Sequence, residues 1–455
     1  MAGLAKRLAK AEALEWQNKG TYREAAVNKP LGQAPGFTLL STRATGIQFT
    51  NTLARARMIN ANLLNGAGVA SGDVDGDGLC DVYVCSLDGE NGLFKNLGGW
   101  KFKNISKEAG VGAPGMSSTG AAFGDVDGDG DLDLFVTSCG GPNALFINDG
   151  TGKFTNQTKA AGVEALKIGS TSVALGDIDM DGDLDIYVTN YGETSVLRSG
   201  GSVSVRIVNG KQVVTGKYSN RIRIMDGDFV EVGEPDFLYI NDGTGKFTKT
   251  DWLDGNWLDE NGEPIKKEFW DLGLSVMIRD INQDGLPDIY NCNDFQTPDR
   301  LWINKGDGRF QLVDELAIRH RSYFAMAVDF ADINRDGYDD FFVADMMSPN
   351  HLLEMTQIGV TNPFAKPIDE FIDRPIIHRN TLYVNRGDNT YMETANYSGL
   401  AATEWTWGST FMDVDLDGLE DLLIANGHAF DTQDLDAIER TSKLGKLPVA
   451  QSRKK

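Results

Sequence analysis

An acidic nine-residue pattern recurs six times in this chain, and no other feature constrains the fold so tightly. The copies run from Asp73 to Asp81, Asp125 to Asp133, Asp177 to Asp185, Asp280 to Asp288, Asp332 to Asp340 and Asp413 to Asp421. Their starts lie 52, 52, 103, 52 and 81 residues apart. Each copy has Asp or Asn at positions one, three and five, Gly at six and Asp at nine. Short runs of small, β-branched or aromatic residues flank every copy, such as GAAFG and DLFVT around the second or AVDFA and DFFVA around the fifth. Bounded by Gly and Asp, they predict a β-hairpin whose tip is the acidic loop. A second signature follows most copies: LFKNLGGWKF (93–102), LFINDGTGKF (145–154), LYINDGTGKF (238–247), LWINKGDGRF (301–310) and LYVNRGDNTY (382–391). Two alternating runs joined by an Asn/Asp/Gly turn predict a second hairpin.

Two hairpins in a period of 52 residues make one four-stranded propeller blade. The expected fold is therefore all-β: a β-propeller of six recognisable blade units over residues 36–430. Short helical segments are expected at 1–30, where Leu4, Leu8 and Leu14 recur near helical spacing, and in a basic tail at 431–455. The two long spacings place inserts at about 190–235 and 346–379, and inserts in such arrays map to loops, often on a binding face. The small residues of each first strand suit a crowded centre where backbones approach closely.

The loop chemistry points to a hard cation. The candidate ligands are Asp73, Asp75, Asp77 and Asp81; Asp125, Asp127, Asp129 and Asp133; Asp177, Asp179, Asp181 and Asp185; Asp280, Asn282, Asp284 and Asp288; Asp332, Asn334, Asp336 and Asp340; and Asp413, Asp415, Asp417 and Asp421. An all-oxygen set without His or Cys favours Ca²⁺, up to six ions, over zinc or copper, and Mg²⁺ prefers to keep its waters. Carboxylates held about 4 Å apart repel by about 1 kcal/mol per pair in water and about 4 kcal/mol at an effective dielectric near 20. That load is heavy for a fold of ordinary marginal stability unless cations offset it.

Composition narrows the function classes. The 455 residues carry a formal net charge of -23, which disfavours nucleic acid and anionic lipid as partners. With 41% hydrophobic residues the chain has material for a core, and no segment reaches the ~20 apolar residues of a membrane-spanning helix. The N-terminus is basic without the apolar run of a signal peptide. Cys80, Cys85, Cys139 and Cys292 form no CxxC pair; they read as small strand residues, with a Cys85–Cys139 or Cys85–Cys292 bridge as the alternative. His320, His351, His378 and His428 sit in no nucleophile or metal motif, so no catalytic residue is singled out. Trp252, Trp257, Trp270, Tyr323, Phe324, Trp405 and Trp407 suit core packing or a sugar-binding surface. Asp254–Asn261 lacks the acidic spacing and reads as a turn, while Met346, Met347 and Met355 are either exposed loop or an adaptable contact surface.

The run GDVDGDGDLDLFVT followed by LFINDGTGKF resembles the FG-GAP/VCBS repeats of integrin α-like β-propellers. NGAGVASGDVDGDGLCDVYVCSLDG, NDFQTPDRLWIN and DFADINRDGYDDFFVADM are similar, more narrowly, to bacterial relatives of cartilage acidic protein, which usually carry an ASPIC/UnbV domain after the propeller. The resemblance implies Ca²⁺ in the hairpin loops, export from the cytoplasm and commonly seven blades. Here there are six motifs, no visible signal peptide, and after Asn426-Gly427-His428 a helix-like tail instead of an ASPIC/UnbV domain. We therefore expect a truncated chain of about six blades, with Gly36–Ile47 as the outer part of an incomplete one, or a compact version closed at six. The function expected is a calcium-stabilised extracellular or periplasmic adhesion-type scaffold for a protein or glycan partner. The alternative is a carbohydrate-active enzyme, lyase- or hydrolase-like, using the inserts.

Overall fold

Each acidic motif turns the chain back on itself, and the hairpins assemble into six antiparallel sheets arranged in sequence order. The computed structural model describes residues 17–20, 23–24, 37–64, 66–197, 203–225, 228–295, 297–357 and 375–427. The first sheet runs Val69–Gly72, Asp81–Val84, Gly92–Asn96 and Phe102–Asn104 as a four-stranded meander. The same order recurs from Ser118 to Asn156, from Ser170 to Lys249, from Gly273 to Leu312 and from Ala327 to Glu393. The fourth sheet gains a fifth strand, Trp257–Leu258, parallel to Phe310–Leu312. The sixth, among the described residues, is the single hairpin Thr406–Met412 and Asp421–Asn426, consistent with the lack of a second signature after the last motif.

The first strands stand side by side in chain order and surround a central cavity of about 400 Å³, lined in turn by Val69, Gly120, Ser172, Ser275, Ala327 and Gly408. That radial arrangement is a β-propeller. The centre is as crowded as its small residues imply: a Cβ built on Gly68 would lie 2.8 Å from the Gly120 Cα, and one on Gly120 2.8 Å from the Thr171 carbonyl oxygen.

The second strands of the second to fifth sheets are buried on both faces, so alternate residues serve different neighbours. Leu134 packs with Tyr83, Leu93 and Phe146, toward the first sheet, while Phe135 packs with Ile186, Val188 and Tyr239, toward the third. Tyr187 and Ile289 meet Trp252, Trp257 and Trp302 between the third and fourth sheets, and Tyr290 and Phe341 meet between the fourth and fifth. Trp252 and Trp257 are thus core, buried with ring centroids 4.1 Å apart, whereas Trp270 is half-buried under Arg223. Cys85, Cys139 and Cys292 are buried free thiols and Cys80 an exposed one, so neither bridge forms.

The end segments differ from expectation where they are described. Gln17–Asn18 pairs with Arg23–Glu24 as a minimal strand pair; the helix over Leu4–Leu14 and the tail at 431–455 lie outside the described residues. The stretch 37–47 supplies no blade strand. Ser41 Oγ caps one helical turn, Thr42–Thr45, which Gly46 closes at φ +86°. The turn rests on the first sheet through Lys101 and the Ala44 carbonyl, and Phe49 meets Phe94 edge-on. In 254–261, Trp257–Leu258 joins the fourth sheet, and Asp259 turns the chain by accepting from the Asn261 and Glu263 N–H groups.

Both inserts leave from the ends of second strands, Asp185–Asn190 and Asp340–Ala344, and so lie at the end of the sheets opposite the acidic loops. The first forms two hairpins, Ser204–Val208 with Lys211–Thr215 and Ile222–Met225 with Asp228–Glu231. Its root is fixed by buried Arg221, which donates to the Tyr191 and Val232 carbonyls and pairs with Glu231 and Glu234. The second contributes the helix His351–Gln357 and the strand Ile376–Ile377, parallel to Arg321–Ser322.

Candidate metal centres

The six loops share one internal wiring. The first Asp accepts backbone N–H groups with both oxygens: Asp73 takes Asp77 N (3.1 Å) and Gly78 N (2.8 Å), and Asp413 takes Asp417 N (2.9 Å) and Gly418 N (2.7 Å). The fifth residue accepts the N–H of the seventh, as in Asp129 Oδ1 from Asp131 N (3.0 Å). The fourth residue is left-handed in every copy, although it is Gly in only two; Met180, Gln283, Arg335 and Leu416 have φ of 63°, 61°, 61° and 59°. A side chain in that conformation costs roughly 1–2 kcal/mol, which the loop geometry must offset.

The ninth Asp ties the loop to the sheet. Asp133 Oδ2 accepts Val126 N at the loop's start (3.0 Å), and Oδ1 accepts Asn148 N from the third strand (2.8 Å). Asp185 and Asp288 repeat both bonds. Burial pushes these carboxyls up, to about 6 in Asp133 and Asp185 and about 7 in Asp288, against the pull of the two N–H donors.

This wiring gathers the carboxylates at positions one, three and nine. In four loops the three acids offer oxygens within 4.8 Å of one another: Asp73, Asp75 and Asp81; Asp125, Asp127 and Asp133; Asp177, Asp179 and Asp185; Asp413, Asp415 and Asp421. The fifth-position carboxylates lie outside these groups. At 280–288 and 332–340 an amide replaces the third carboxylate, and Asn282 and Asn334 accept the N–H of Asp284 and Asp336 (3.0 and 2.9 Å). Asp127 Oδ1 in the second loop and Asp340 Oδ2 in the fifth are buried without a hydrogen-bond partner. A desolvated carboxylate oxygen with no donor is costly, and a cation would satisfy it. The donor set fits a hard metal ion.

Two repeated polar residues outside the acidic motif complete the site's support. In the second, third and fourth sheets the asparagine ending the third strand donates to its own loop and to the preceding one. Asn148 Nδ2 reaches Leu132 O (3.1 Å) and Val74 O (2.8 Å), and Asn241 reaches Leu184 O (3.1 Å) and Val126 O (2.7 Å). Asn304 does the same with Pro287 O (3.1 Å) and Ile178 O (2.7 Å), so neighbouring loops are coupled through the backbone. At the other end of the sheets, Asn91, Asn143, Asp236, Asp299 and Asn380 are buried and each accepts the N–H closing its second strand. Both had a legible signal, an Asn or Asp two residues before the Leu of LF, LY or LW and the Asn of the IN or VN pair.

The remaining polar and aromatic candidates gather on the insert side. His378 lies against Tyr323, with ring centroids 4.2 Å apart and planes tilted by 51°, beside Asp345, which accepts Ser322 Oγ (2.5 Å) and the N–H groups of Phe324 (3.0 Å) and Met346 (2.6 Å). Burial lowers the proton affinity of His378, against the opposing pull of Asp345. Met346 is buried in the same cluster as Tyr323 and Phe324, which half-buried Trp405 and Trp407 flank, so it is core and not a contact surface.

Sequential sheets around a central cavity, with acidic loops at the hairpin tips, define a repeat β-propeller. The FG-GAP-like repeat model matches at 73–136, 125–188 and 280–343. Across the repeat region the chain is homologous to cartilage acidic protein 1: it is 29% identical to the Homo sapiens protein over 126 residues and 30% identical to the Mus musculus protein over 125. Each alignment covers 28% of this chain but only 19% and 18% of those relatives, so the chain matches less than a fifth of their length. Among solved structures, a mutant of AofleA from Arthrobotrys oligospora aligns with 81% of this chain and 82% of its own at 13% identity and a TM-score of 0.38. A lectin from Agrocybe aegerita aligns with 78% of this chain and 84% of its own at 14% identity and a TM-score of 0.31.

Proposed function

We propose that this protein is a calcium-stabilised propeller that works outside the cytoplasm, in an extracellular or periplasmic setting, as a scaffold for a protein or glycan partner. The unpartnered, buried Asp127 Oδ1 inside a three-carboxylate group carries the metal part of this reading. Calcium modules of extracellular type bind at roughly 10⁻⁴–10⁻³ M, a range that suits calcium-rich surroundings and not a resting cytosol. The matched relative is named for cartilage, which accords with that setting. The metal's role is structural, since the acidic loops lie at the tips of the sheets and the inserts at the other end. The insert side, with its hairpins and the half-buried Trp405 and Trp407, is the surface that varies from blade to blade and the one assigned to the partner.

Thermal unfolding in EDTA and across a Ca²⁺ titration, with Mg²⁺ as control, tests the reading. A site with a Kd of about 10⁻⁴ M adds about 2.7 kcal/mol at a hundredfold excess of free ion. The midpoint is expected to climb between about 0.1 and 10 mM Ca²⁺ and to respond little to Mg²⁺. A midpoint indifferent to Ca²⁺ would make the loops solvated turns.

A further inference from the structure

The first loop carries the same four aspartates as the second and third, but a lysine stands over it. Lys95 precedes the asparagine that ends the third strand; Ile147, Ile240, Ile303 and Val384 hold that place in the next four sheets. Its ammonium is paired with Asp75 Oδ2 and lies 2.9 Å from Asp77 Oδ2. Among the described residues, the three-carboxylate groups of the second and third sheets have no ion pair of this kind. We propose that the first acidic loop is neutralised from within by Lys95 and is the last of the three-carboxylate loops in the first three sheets to take Ca²⁺. The inference rests on the calcium reading above.

The physical reason is competition at one centre. An incoming divalent ion must either expel the ammonium from Asp75 or sit beside it. Two positive charges on the ion and one on the lysine, about 4 Å apart, oppose binding even in bulk water by on the order of 30-fold in affinity. Lys95 leaves Asp75 Oδ1 without a partner, so the loop is weakened as a metal site and not abolished. The tethered cation is held at the loop by its own strand, so it offsets carboxylate repulsion whether or not calcium is present. The second and third loops have an aliphatic side chain at that position and depend on the ion.

The test counts bound calcium in the full chain by equilibrium dialysis at free Ca²⁺ below saturation, for wild type, Lys95→Ile and the reciprocal Ile147→Lys. Lys95→Ile, which installs the side chain of three sister sheets, is expected to bind up to one more ion per chain, and Ile147→Lys up to one fewer. In EDTA the Lys95→Ile midpoint should fall below wild type, because the loop loses its internal cation, and calcium should restore it. Lys95→Met repeats the test with a longer apolar side chain should Ile perturb the strand. Equal, non-zero counts in all proteins would overturn this proposal alone. No bound calcium in any of them would remove the calcium reading and this proposal with it.

Discussion

The loops at 125–133 and 413–421 have the same four aspartates, and in both the first accepts two backbone N–H groups of the turn, yet they sit in different surroundings. In the second sheet Asp133 is 1% exposed and bonded to the third strand, and the turn of the next sheet lies over Asp127, where a Cβ on Gly245 would be 3.4 Å from the Asp127 Cβ. In the sixth, Asp421 is exposed; it accepts Val414 N (3.1 Å), and among the described residues no third strand donates to its other oxygen. The local sequence makes the turn in both places. Only a completed blade with a following neighbour buries the ninth carboxylate, so dependence on metal and on hydrogen bonding should be graded around the propeller.

The sharpest test of that grading is to delete the ninth carboxylate in each loop. Asp133→Ala strands the Val126 and Asn148 N–H groups in a buried place, at about 1–3 kcal/mol each, and also removes a metal ligand. We expect a loss of about 3 kcal/mol or more by chemical denaturation in calcium. Asp421→Ala also removes a metal ligand, but it frees only the exposed Val414 N–H, which water can satisfy, so its loss should be smaller by about 2 kcal/mol. Equal losses would mean that neighbouring blades contribute nothing to the loops.

A second contrast lies at the opposite end of the sheets, where Asn91, Asn143 and Asn380 match Asp236 and Asp299. Burial pushes Asp236 up to about 8 although Asn190 N, Asn291 Nδ2 and Tyr187 OH all donate to it. A carboxyl raised in the fold stabilises fully below its unfolded value near 3.8, and that contribution is lost as pH rises through about 8. Asp236→Asn carries no charge to bury, and a flip of Asn291 would give the new amide an acceptor. Its stability should exceed that of wild type at pH 8 by about 1–3 kcal/mol. The gap should shrink toward pH 4 in a series of urea unfolding curves.

The smallest effect separates a coupled loop from an end loop. Asn148→Ala removes bonds to its own loop and to the preceding one, whereas Asn96→Ala loses a bond to Cys80 O (3.0 Å) with no earlier loop to reach. At about 1 kcal/mol per bond, the first should cost roughly twice the second in midpoint shift. Parity would show that the inter-sheet bond to Val74 is energetically silent.

How far the sequence could be read follows from the range of the interactions. The acidic hairpins were legible because their bonds span at most seven residues: Asp73 to Asp77 and Gly78, Asp81 to Val74. The second hairpins were legible for the same reason, and so was the crowded centre, since small residues recur in the run before each motif. Less was legible of the sheet edges. Residues 37–47 have strand-like composition, but Ser41 and Gly46 cap a helical turn, and that local capping prevailed. The tryptophans after the third motif could have been surface or core, because position in a chain does not say which faces two sheets will share.

The sequence by itself determined the repeat, the hairpins, the all-β architecture and the oxygen-rich loops, because each is encoded by bonds within a few residues or by alternation along a strand. Tertiary structure decided which third-position carboxylate meets a lysine, which ninth-position carboxylate is buried, and that both inserts emerge opposite the acidic loops. Those outcomes depend on residues from separate strands and sheets meeting at one point, as Lys95 meets Asp75 and Asn148 meets Val74. Register and inter-sheet packing set them, and neither is written in any single repeat.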